Sequence, residues 1–282
     1  MRFGIGLALV HRSQWLEMTE LCEELGYESV WFPDHLVFTE AMSGSPYVGD
    51  AHPPVPPTTP LYEPFAYLSY LAARTSRLRL GTYVYLFGLR HPLIAARAVA
   101  TFDELSGGRA EVGVGAGWSP GEWDAVGWDF ASRGRRLDEA IDVAKRLWSE
   151  EVVAHEGEFF SFPALRFEPK PLQRPHPPLL VGGESPAALR RAVERGDGWI
   201  SMPHTAASGR AQVARLRALC DRAGRDPASL QLTLTDQTLT TPDEVALWAT
   251  LGVDRLIVKP YLRTRDALDG VDRFRERMGD WF

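Results

Sequence analysis

The sequence has little of several features that would define its class. It contains two cysteines, Cys22 and Cys220, and neither belongs to a Cys-x-x-Cys pair, so no disulfide scaffold, zinc site or thiol-redox site is expected. No uncharged apolar run reaches the roughly 18 residues of a membrane-spanning helix. The formal net charge is −6 rather than positive, which gives no electrostatic reason to expect nucleic acid or an anionic membrane as a partner.

Motifs of three other classes are missing as well. The chain has no G-x-G-x-x-G fingerprint, which argues against a Rossmann-type dinucleotide domain. Metal-dependent barrel hydrolases usually present an H-x-H pair after their first strand, whereas Val10-His11-Arg12 offers one histidine, so no metal is expected. Residues 1–6 enter a strand pattern at once, without the layout of a signal peptide, and we therefore expect a cytoplasmic protein.

What the chain does contain is a regular alternation of strand-like and helix-like segments from end to end. Such alternation is typical of βα units around a parallel sheet. Eight units can be counted in the 282 residues, and eight is the number that closes a parallel barrel of ordinary size. The prediction is an α/β fold, a single-domain (β/α)8 TIM barrel over residues 1–282.

The predicted strands are Arg2–Val10, Ser29–Phe32, Leu78–Tyr85, Ala110–Val114, Leu179–Val181, Trp199–Met202, Leu230–Thr235 and Arg255–Val258. A helix pattern follows each strand, near 13–25, 63–75, 92–105, 133–148, 186–195, 207–223, 242–251 and 264–278. Two insertions interrupt this series. The first, after strand 2, spans about 36–62 and is rich in proline, which excludes a core element and favours a lid. The second, after helix 4, spans 151–169 and has the alternating aromatics of a small hairpin.

The reactive groups of a parallel barrel come from the carboxyl ends of its strands, because the βα loops converge there. The sequence therefore points to the residues at these ends, which are His11, Asp34-His35, Tyr83 to Tyr85, Gly113 to Trp118, Gly182 to Ser185, His204, Asp236 and Lys259. Tyr83 and Tyr85 alternate along one strand and are expected to face the same way. His11, His204 and Lys259 are candidates to line a substrate cavity; for Lys259 a solvated or salt-bridged lysine is the alternative.

Asp34 and His35 form the most informative pair. A histidine at a strand end can exchange protons near neutral pH, and an adjacent carboxylate can raise its pKa or orient its ring. In the alternative interpretation, Asp34 caps a turn and His35 is an ordinary loop residue. The position at the barrel rim favours a functional pair.

Two glycine-containing segments are candidates to contact a ligand. Gly182-Gly183-Glu184-Ser185 precedes a helix, so its backbone N–H groups can converge on an anion, unless Ser185 serves as an ordinary helix N-cap. Gly113, Gly115 and Gly117 remove three side chains from a strand end, which lets a flat ring approach the backbone closely.

Taken together, these segments resemble the luciferase-like monooxygenase superfamily, specifically its F420-dependent oxidoreductase branch. The resemblance extends over almost the whole chain, in family order. Its motifs are Trp31 to His35, Leu80-Gly81-Thr82, Arg90-His91-Pro92, Leu105 to Arg109, Gly113 to Trp118, Arg133 to Glu139, and Gly182 to Ser185 leading to Gly196 to Trp199.

The resemblance implies a role for each part of the rim. In the resembling dehydrogenases the aspartate matching Asp34 contacts the cofactor, and the histidine matching His35 acts as an acid beside its ring. A non-proline cis peptide is implied at Tyr83–Val84, behind that ring. The segment Ala116, Gly117 and Trp118 would flank the ring, and Gly182, Gly183, Glu184 and Ser185 would hold the cofactor phosphate.

The sequence departs from the family's sugar-phosphate dehydrogenases at one point. Those enzymes have a glutamate after the last glycine, acting as a base, whereas this chain has Trp118, and Glu122 lies four residues further on, beyond the reach expected of that position. A sugar-phosphate substrate is therefore not expected.

The predicted function is hydride transfer between coenzyme F420 and a small organic substrate. An FMNH2-dependent monooxygenase, with FMN as the cofactor, is the alternative, and a flavin-binding protein without turnover is a third possibility. A Schiff-base aldolase using Lys259 ranks below these. Dimers are common among the resembling proteins, so a homodimer is expected.

Overall fold

A computed structural model describes residues 1–47, 50 and 52–282 and shows a closed barrel. In chain order the strands are β1 (Arg2–Gly6), β2 (Ser29–Phe32), β3 (Arg79–Tyr85), β4 (Ala110–Val114), β5 (Val153–Glu156), β6 (Ser161–Leu165), β7 (Leu179–Gly182), β8 (Gly198–Pro203), β9 (Gln231–Asp236) and β10 (Arg255–Val258). All except β5 and β6 pair in parallel, and the ring closes where β1 pairs with β10. The predicted TIM barrel is therefore confirmed.

Helices follow the barrel strands and cover the outside of the ring. They are α1 (Trp15–Leu25), α2 (Pro64–Ala72), α3 (Pro92–Leu105), α4 (Pro120–Ala125), α5 (Arg133–Ser149), α6 (Pro186–Arg195), α7 (Ala206–Ala223), α8 (Pro242–Thr250) and α9 (Ala267–Met278). Proline opens α2, α3, α4, α6 and α8. Its fixed φ suits the first helical position, where its missing N–H would have no intrahelical partner, so these starts are encoded locally.

Two of the predicted elements are wrong in extent. β1 ends at Gly6, not Val10, because the chain turns into a 3-10 helix at Leu7–Leu9. The carbonyls of Leu7 and Val10 accept hydrogen bonds from the indole N–H of Trp15 at 2.9 and 3.0 Å, which holds this turn against α1. The loop predicted after β4 contains the additional helix α4.

The two predicted insertions have different structures. The second contains an antiparallel hairpin of β5 and β6, as predicted. The first has no regular element among its described residues, and positions 48, 49 and 51 of that prediction lie outside the described residues. Both cysteines are free and buried, and burial raises the pKa of the Cys22 thiol, which is consistent with inert core residues.

The barrel interior has a charged lower layer and an apolar upper layer. At the lower end, Arg255 is fully buried and binds Glu28 at 2.5 Å and Glu111 at 3.2 Å. Above it, the residues facing the axis form a separate apolar cluster of Trp31, Leu180, Ile200 and Ile257, on which Tyr83 and Val84 pack. The barrel is thus filled by side chains up to its rim, and a ligand at the carboxyl rim would lie above Tyr83 and Val84.

Candidate active site

His35 is held at the rim of the barrel by a buried carboxylate. It follows β2, its side chain is 16% exposed, and its Nδ1 lies 2.8 Å from Oε2 of Glu122. Glu122 belongs to the first turn of α4 and is fully buried, and its Oε1 accepts the backbone N–H of Leu36 at 2.7 Å. Because α4 returns the chain toward β2, Glu122 reaches His35 at the rim, a contact that the sequence did not predict, and that it falls short of a substrate stays a prediction.

Asp34 makes different contacts from those predicted. Its buried carboxylate forms a two-pronged ion pair with Arg90, at 2.7 and 2.8 Å, and accepts the backbone N–H of Leu86 at 2.8 Å. Burial by itself would lower the pKa of Arg90, but the charge of Asp34 outweighs it and raises that pKa. Asp34 therefore ties the end of β2 to the segment after β3, and the carboxylate that orients His35 is Glu122. The contact of Asp34 with a cofactor stays a prediction.

Aromatic rings flank the His35 imidazole. The ring of Phe38, from the insertion after β2, lies 4.6 Å from it, and the ring of Trp118 meets it edge-on at 5.3 Å. Trp118 follows Ala116 and Gly117, and Gly117 has a φ of +80°, a conformation that favours glycine. Trp118 of the predicted wall of Ala116, Gly117 and Trp118 thus lies beside the candidate acid–base residue, and the contact of this wall with a cofactor stays a prediction.

Tyr83 reaches across the barrel and covers its apolar core. Its hydroxyl donates to the carbonyl of Ser201 and lies 2.9 Å from Oγ1 of Thr235, on the far side of the ring of strands. Burial raises the pKa of this phenol. The peptide between Tyr83 and Val84 is cis, as predicted. Tyr83 and Val84 thus form the floor of the rim site.

The expectation that Tyr83 and Tyr85 face the same way is wrong. The pairing of β3 with β4 shifts in register between Thr82 and Tyr85, which breaks the two-residue alternation. Tyr85 packs outside the barrel against Phe65 of α2, with ring centroids 4.7 Å apart.

Gly113 in β4, Gly115 just after it and Gly182 at the end of β7 make room for β3, whereas a flat ring was the expected neighbour of positions 113 and 115. A Cβ at Gly115 would lie 2.4 Å from Cγ2 of Val84, and one at Gly182 would lie 2.8 Å from its Cγ1. A Cβ at Gly113 would lie 2.1 Å from the carbonyl oxygen of Thr82. The space that these glycines leave is therefore filled by the bulged end of β3, and only Gly117 remains beside the aromatic wall.

Gly113→Ala is expected to destabilise the fold by at least about 1–3 kcal/mol, the usual range for overpacking, because the clashing atom belongs to the backbone and cannot rotate away. Gly6→Ala is the matched control, since its Cβ would meet nothing closer than Ile257 Cγ2 at 3.7 Å. The unfolding midpoint in urea measures both variants. Equal midpoints for the two would show that β3 and β4 are not packed as described.

The Gly182–Ser185 segment is organised by contacts within the protein. Gly183 has a φ of +110°, and its carbonyl accepts the indole N–H of Trp199 at 3.0 Å. Ser185 Oγ accepts the backbone N–H of Ala188 at 3.1 Å, so Ser185 is an N-cap of α6. Phosphate binding by this segment stays a prediction.

Glu184 links this segment to the end of β8. One carboxylate oxygen accepts the backbone N–H of Met202 at 2.8 Å, and the other lies 3.2 Å from Nε2 of His204. His204 Nδ1 lies 3.0 Å from the hydroxyl of Ser208. Both ring nitrogens of His204 are thus engaged, and the pair joins two neighbouring strand ends.

His11 and Lys259 lie apart from the His35 cluster. His11 is exposed, lies five residues beyond the end of β1 and caps a 3-10 turn at Arg12–Gln14, where its Nδ1 accepts the backbone N–H of Ser13 at 3.4 Å. The Lys259 ammonium lies 5.7 Å from the ring of Tyr261. In the described part of the chain, neither residue bonds to His35 or Glu122. Their roles toward a substrate remain predictions.

Over positions 1–47, 50 and 52–282, no group of three or more His, Cys, Asp or Glu residues is arranged to hold a metal ion. Over the same positions, no helix has the length and apolar character needed to cross a membrane.

A closed (β/α)8 barrel with a histidine–carboxylate pair and an aromatic wall at its carboxyl rim defines the class, a TIM-barrel protein with a candidate acid–base site. The family follows from comparison, because the model of the luciferase-like monooxygenase family matches residues 6–278. The chain belongs to this family, and the resemblance found in its sequence is confirmed.

Its relatives include mycobacterial proteins. An uncharacterized protein of Mycobacterium tuberculosis is 32% identical over 261 residues, which cover 92% of this chain and 91% of the relative. Phthiodiolone/phenolphthiodiolone dimycocerosates ketoreductase of Mycobacterium bovis is 31% identical over 245 residues, covering 82% of this chain and 63% of that enzyme.

Solved structures share the fold at lower identity. A monooxygenase of Streptomyces bottropensis superposes with a TM-score of 0.77 at 23% identity, covering 99% of this chain and 98% of the other. An F420-dependent secondary alcohol dehydrogenase, solved with an F420–acetone adduct, gives a TM-score of 0.77 at 18% identity over 98% and 97% of the two chains. The neighbours thus include both F420-dependent enzymes and monooxygenases, and an oxidoreductase is the class that the family and its neighbours support.

Proposed function

We propose that this protein is an F420-dependent oxidoreductase that transfers hydride between the deazaflavin and a small organic substrate, with His35 exchanging the accompanying proton. The observation that carries the proposal is the position of His35, which is bound to the buried Glu122 and flanked by the rings of Phe38 and Trp118. An imidazole can give and take protons near neutral pH, which an alcohol–carbonyl interconversion requires.

The rim residues fit a planar redox cofactor. Tyr83 and Val84 provide a floor above the apolar core, and the rings of Trp118 and Phe38 provide an aromatic side. Gly183 and the segment around it lie at the start of α6, where helix dipole and N–H groups favour a phosphate. When bound, F420 would supply the hydride acceptor or donor.

The chain's own residues then act on the substrate. His35 would hold the proton that leaves or joins the substrate oxygen, with Glu122 behind it. The two aromatic rings would exclude water from the reacting atoms, which strengthens electrostatic interactions inside the site. Phe38, near the start of the first insertion, would shape the substrate cavity.

The FMNH2-dependent monooxygenase is the second candidate. It is favoured by Trp118, which stands where the family's sugar-phosphate dehydrogenases have a catalytic glutamate, and by the equally good superposition on a monooxygenase. This reaction would use the same rim, with oxygen as the co-substrate.

Titration of the apoprotein with F420 and with FMN, in both redox states, is expected to show tight binding and a changed absorbance spectrum for F420 alone. Reduced F420 should then be oxidised in the presence of a carbonyl substrate under anaerobic conditions. Tight binding of FMNH2 with oxygen-dependent turnover would establish the second candidate instead. F420 binding without turnover on any substrate would establish a binding protein. Gel filtration at several concentrations tests the proposed homodimer.

A further inference from the structure

We infer that Glu122 is a positioning residue that keeps the ring proton of neutral His35 on Nδ1 and thereby leaves Nε2 as the proton acceptor for the substrate. The inference deepens the proposed function, because the role of Nε2 toward a substrate rests on that function. The tautomer itself depends only on the contact between His35 and Glu122.

Two hydrogen bonds hold the side chain of Glu122 in place. Its carboxylate is fully buried, and a buried charge of this kind requires hydrogen-bond donors. The N–H of Leu36 donates to Oε1 at 2.7 Å, and the only other partner among the described residues is His35 Nδ1, at 2.8 Å from Oε2. With Glu122 as a carboxylate both of its oxygens accept, so Nδ1 is the donor in this pair; a protonated Glu122 would instead donate to Nδ1.

This assignment leaves Nε2 at the edge of the ring away from Glu122. Among the residues that the structure describes, Nε2 has no hydrogen-bond partner, whereas the ring retains 16% exposure beside Trp118 and Phe38. A neutral imidazole protonated at Nδ1 presents a lone pair at Nε2. Nε2 is therefore free to accept a proton.

In the proposed reaction, the lone pair on Nε2 would accept the proton of the substrate hydroxyl. In the oxidative direction, bound F420 would accept the hydride that leaves the substrate carbon, His35 Nε2 would take the O–H proton, and the substrate would become a carbonyl compound. The carboxylate that the family's sugar-phosphate dehydrogenases place after the last glycine is absent, since Trp118 stands there. Here a carboxylate reaches the histidine from α4 instead, and it acts on His35 rather than on the substrate.

The tautomer can be read without any cofactor. Protein labelled with 15N-histidine, examined by long-range proton–nitrogen correlation at alkaline pH, is expected to show protonated Nδ1 and unprotonated Nε2 of His35. His35→Gln identifies the signals. In Glu122→Gln, which keeps the size of the side chain and can still accept the Leu36 N–H, the proton is expected to redistribute toward Nε2.

Glu139→Gln is the matched control. Glu139 forms a comparable pair with Nε2 of His155 at 2.9 Å and also accepts backbone N–H groups, but it lies on α5, away from the rim site. This variant should alter the His155 signals and leave those of His35 unchanged.

The kinetic readout separates positioning from a general structural role. Glu122→Gln is expected to lower kcat by about 10²–10⁴-fold, as when a catalytic histidine loses its correct tautomer, with cofactor affinity unchanged. A wild-type His35 protonated at Nε2, or an unchanged tautomer in Glu122→Gln, would overturn the inference while leaving the proposed function intact. Failure of F420 to bind the wild type would overturn the proposed function but not the tautomer.

Discussion

His35→Ala is expected to lower kcat by about 10²–10⁴-fold, the range that a positioned acid–base group contributes. The reason is that Nδ1 of His35 already engages Glu122, so the imidazole is held in place before any substrate arrives. Cofactor affinity should change little, because the floor at Tyr83 and Val84 does not depend on His35. Steady-state kinetics with reduced F420 over a panel of small carbonyl compounds, together with a cofactor titration, measure the two effects separately.

The matched control for this variant is His52→Ala. His52 is 93% exposed and pairs with Asp50 on the first insertion, so its removal deletes an imidazole without touching the rim cluster. Its kcat should stay close to that of the wild type. If His35→Ala turns over at the wild-type rate, His35 is not the acid–base group, and the proton must be exchanged elsewhere. His35→Gln, which cannot take up a proton at neutral pH, should match the alanine variant.

The barrel and the position of its reactive end could be predicted from local sequence signals. Strand and helix periodicities are set within a few residues of chain, and proline or a capping side chain marks the beginning of many helices. The same rule that gathers strand ends at one rim singles out Asp34 and His35 from the sequence. These inferences needed no knowledge of side-chain contacts.

Contacts between distant segments were not predictable in the same way. Glu122 lies 87 positions after His35, and no local pattern indicates that its carboxylate returns to that imidazole. A signal for α4 was present, since Ser119-Pro120 is a typical helix start, and it would have placed Glu122 in a first turn. As a plain loop, the segment gives no indication of a partner for the carboxylate.

The side chains of β3 show a second limit of sequence patterns. Strict alternation would place Tyr83 and Tyr85 on one face, but the register shift sends Tyr83 across the barrel and Tyr85 outward. The glycines at 113 and 115 leave the space that this shift requires. The glycine pattern therefore does indicate a close approach, and the group that approaches is the neighbouring strand β3. A composition pattern indicates that space is needed, and only the tertiary packing shows what fills it.

Arg255→Met is expected to destabilise the fold by about 3–5 kcal/mol, the usual effect of removing one partner from a buried ion pair. Arg255 is fully buried at the lower end of the barrel, where it binds Glu28 and Glu111 and lies 5.1 Å from the ring of Trp31. Burial alone would lower the pKa of this guanidinium, but the charges of Glu111 and Glu28 raise it. Without Arg255, two carboxylates lose their shared cation.

The pH dependence of stability provides a second readout of the same pair. Burial would raise the pKa of Glu28, but Arg255 outweighs burial and lowers it. A carboxyl group whose pKa is lowered on folding stabilises the native state above its unfolded pKa, about 4.3 for glutamate, and that stabilisation is lost as the pH falls through the folded pKa. Arg255→Met should lack this component, so the stability gap between variant and wild type should narrow as the pH falls below about 4.

Urea unfolding of three variants separates the effect of lost charge from that of lost packing. The variants are Arg255→Met, Arg255→Lys and the triple variant Arg255→Met/Glu28→Gln/Glu111→Gln. The lysine variant keeps the charge and should lose less stability, whereas the triple variant has no uncompensated carboxylate and should recover part of the loss of the methionine variant. Equal stability of Arg255→Met and wild type would mean that Arg79, 2.5 Å from Glu111, suffices to hold the lower layer. Because Arg255 and His35 lie at opposite ends of the barrel, folded Arg255→Lys should retain the kcat of the wild type. That result would place residues needed for stability at one end of the strands and residues needed for catalysis at the other.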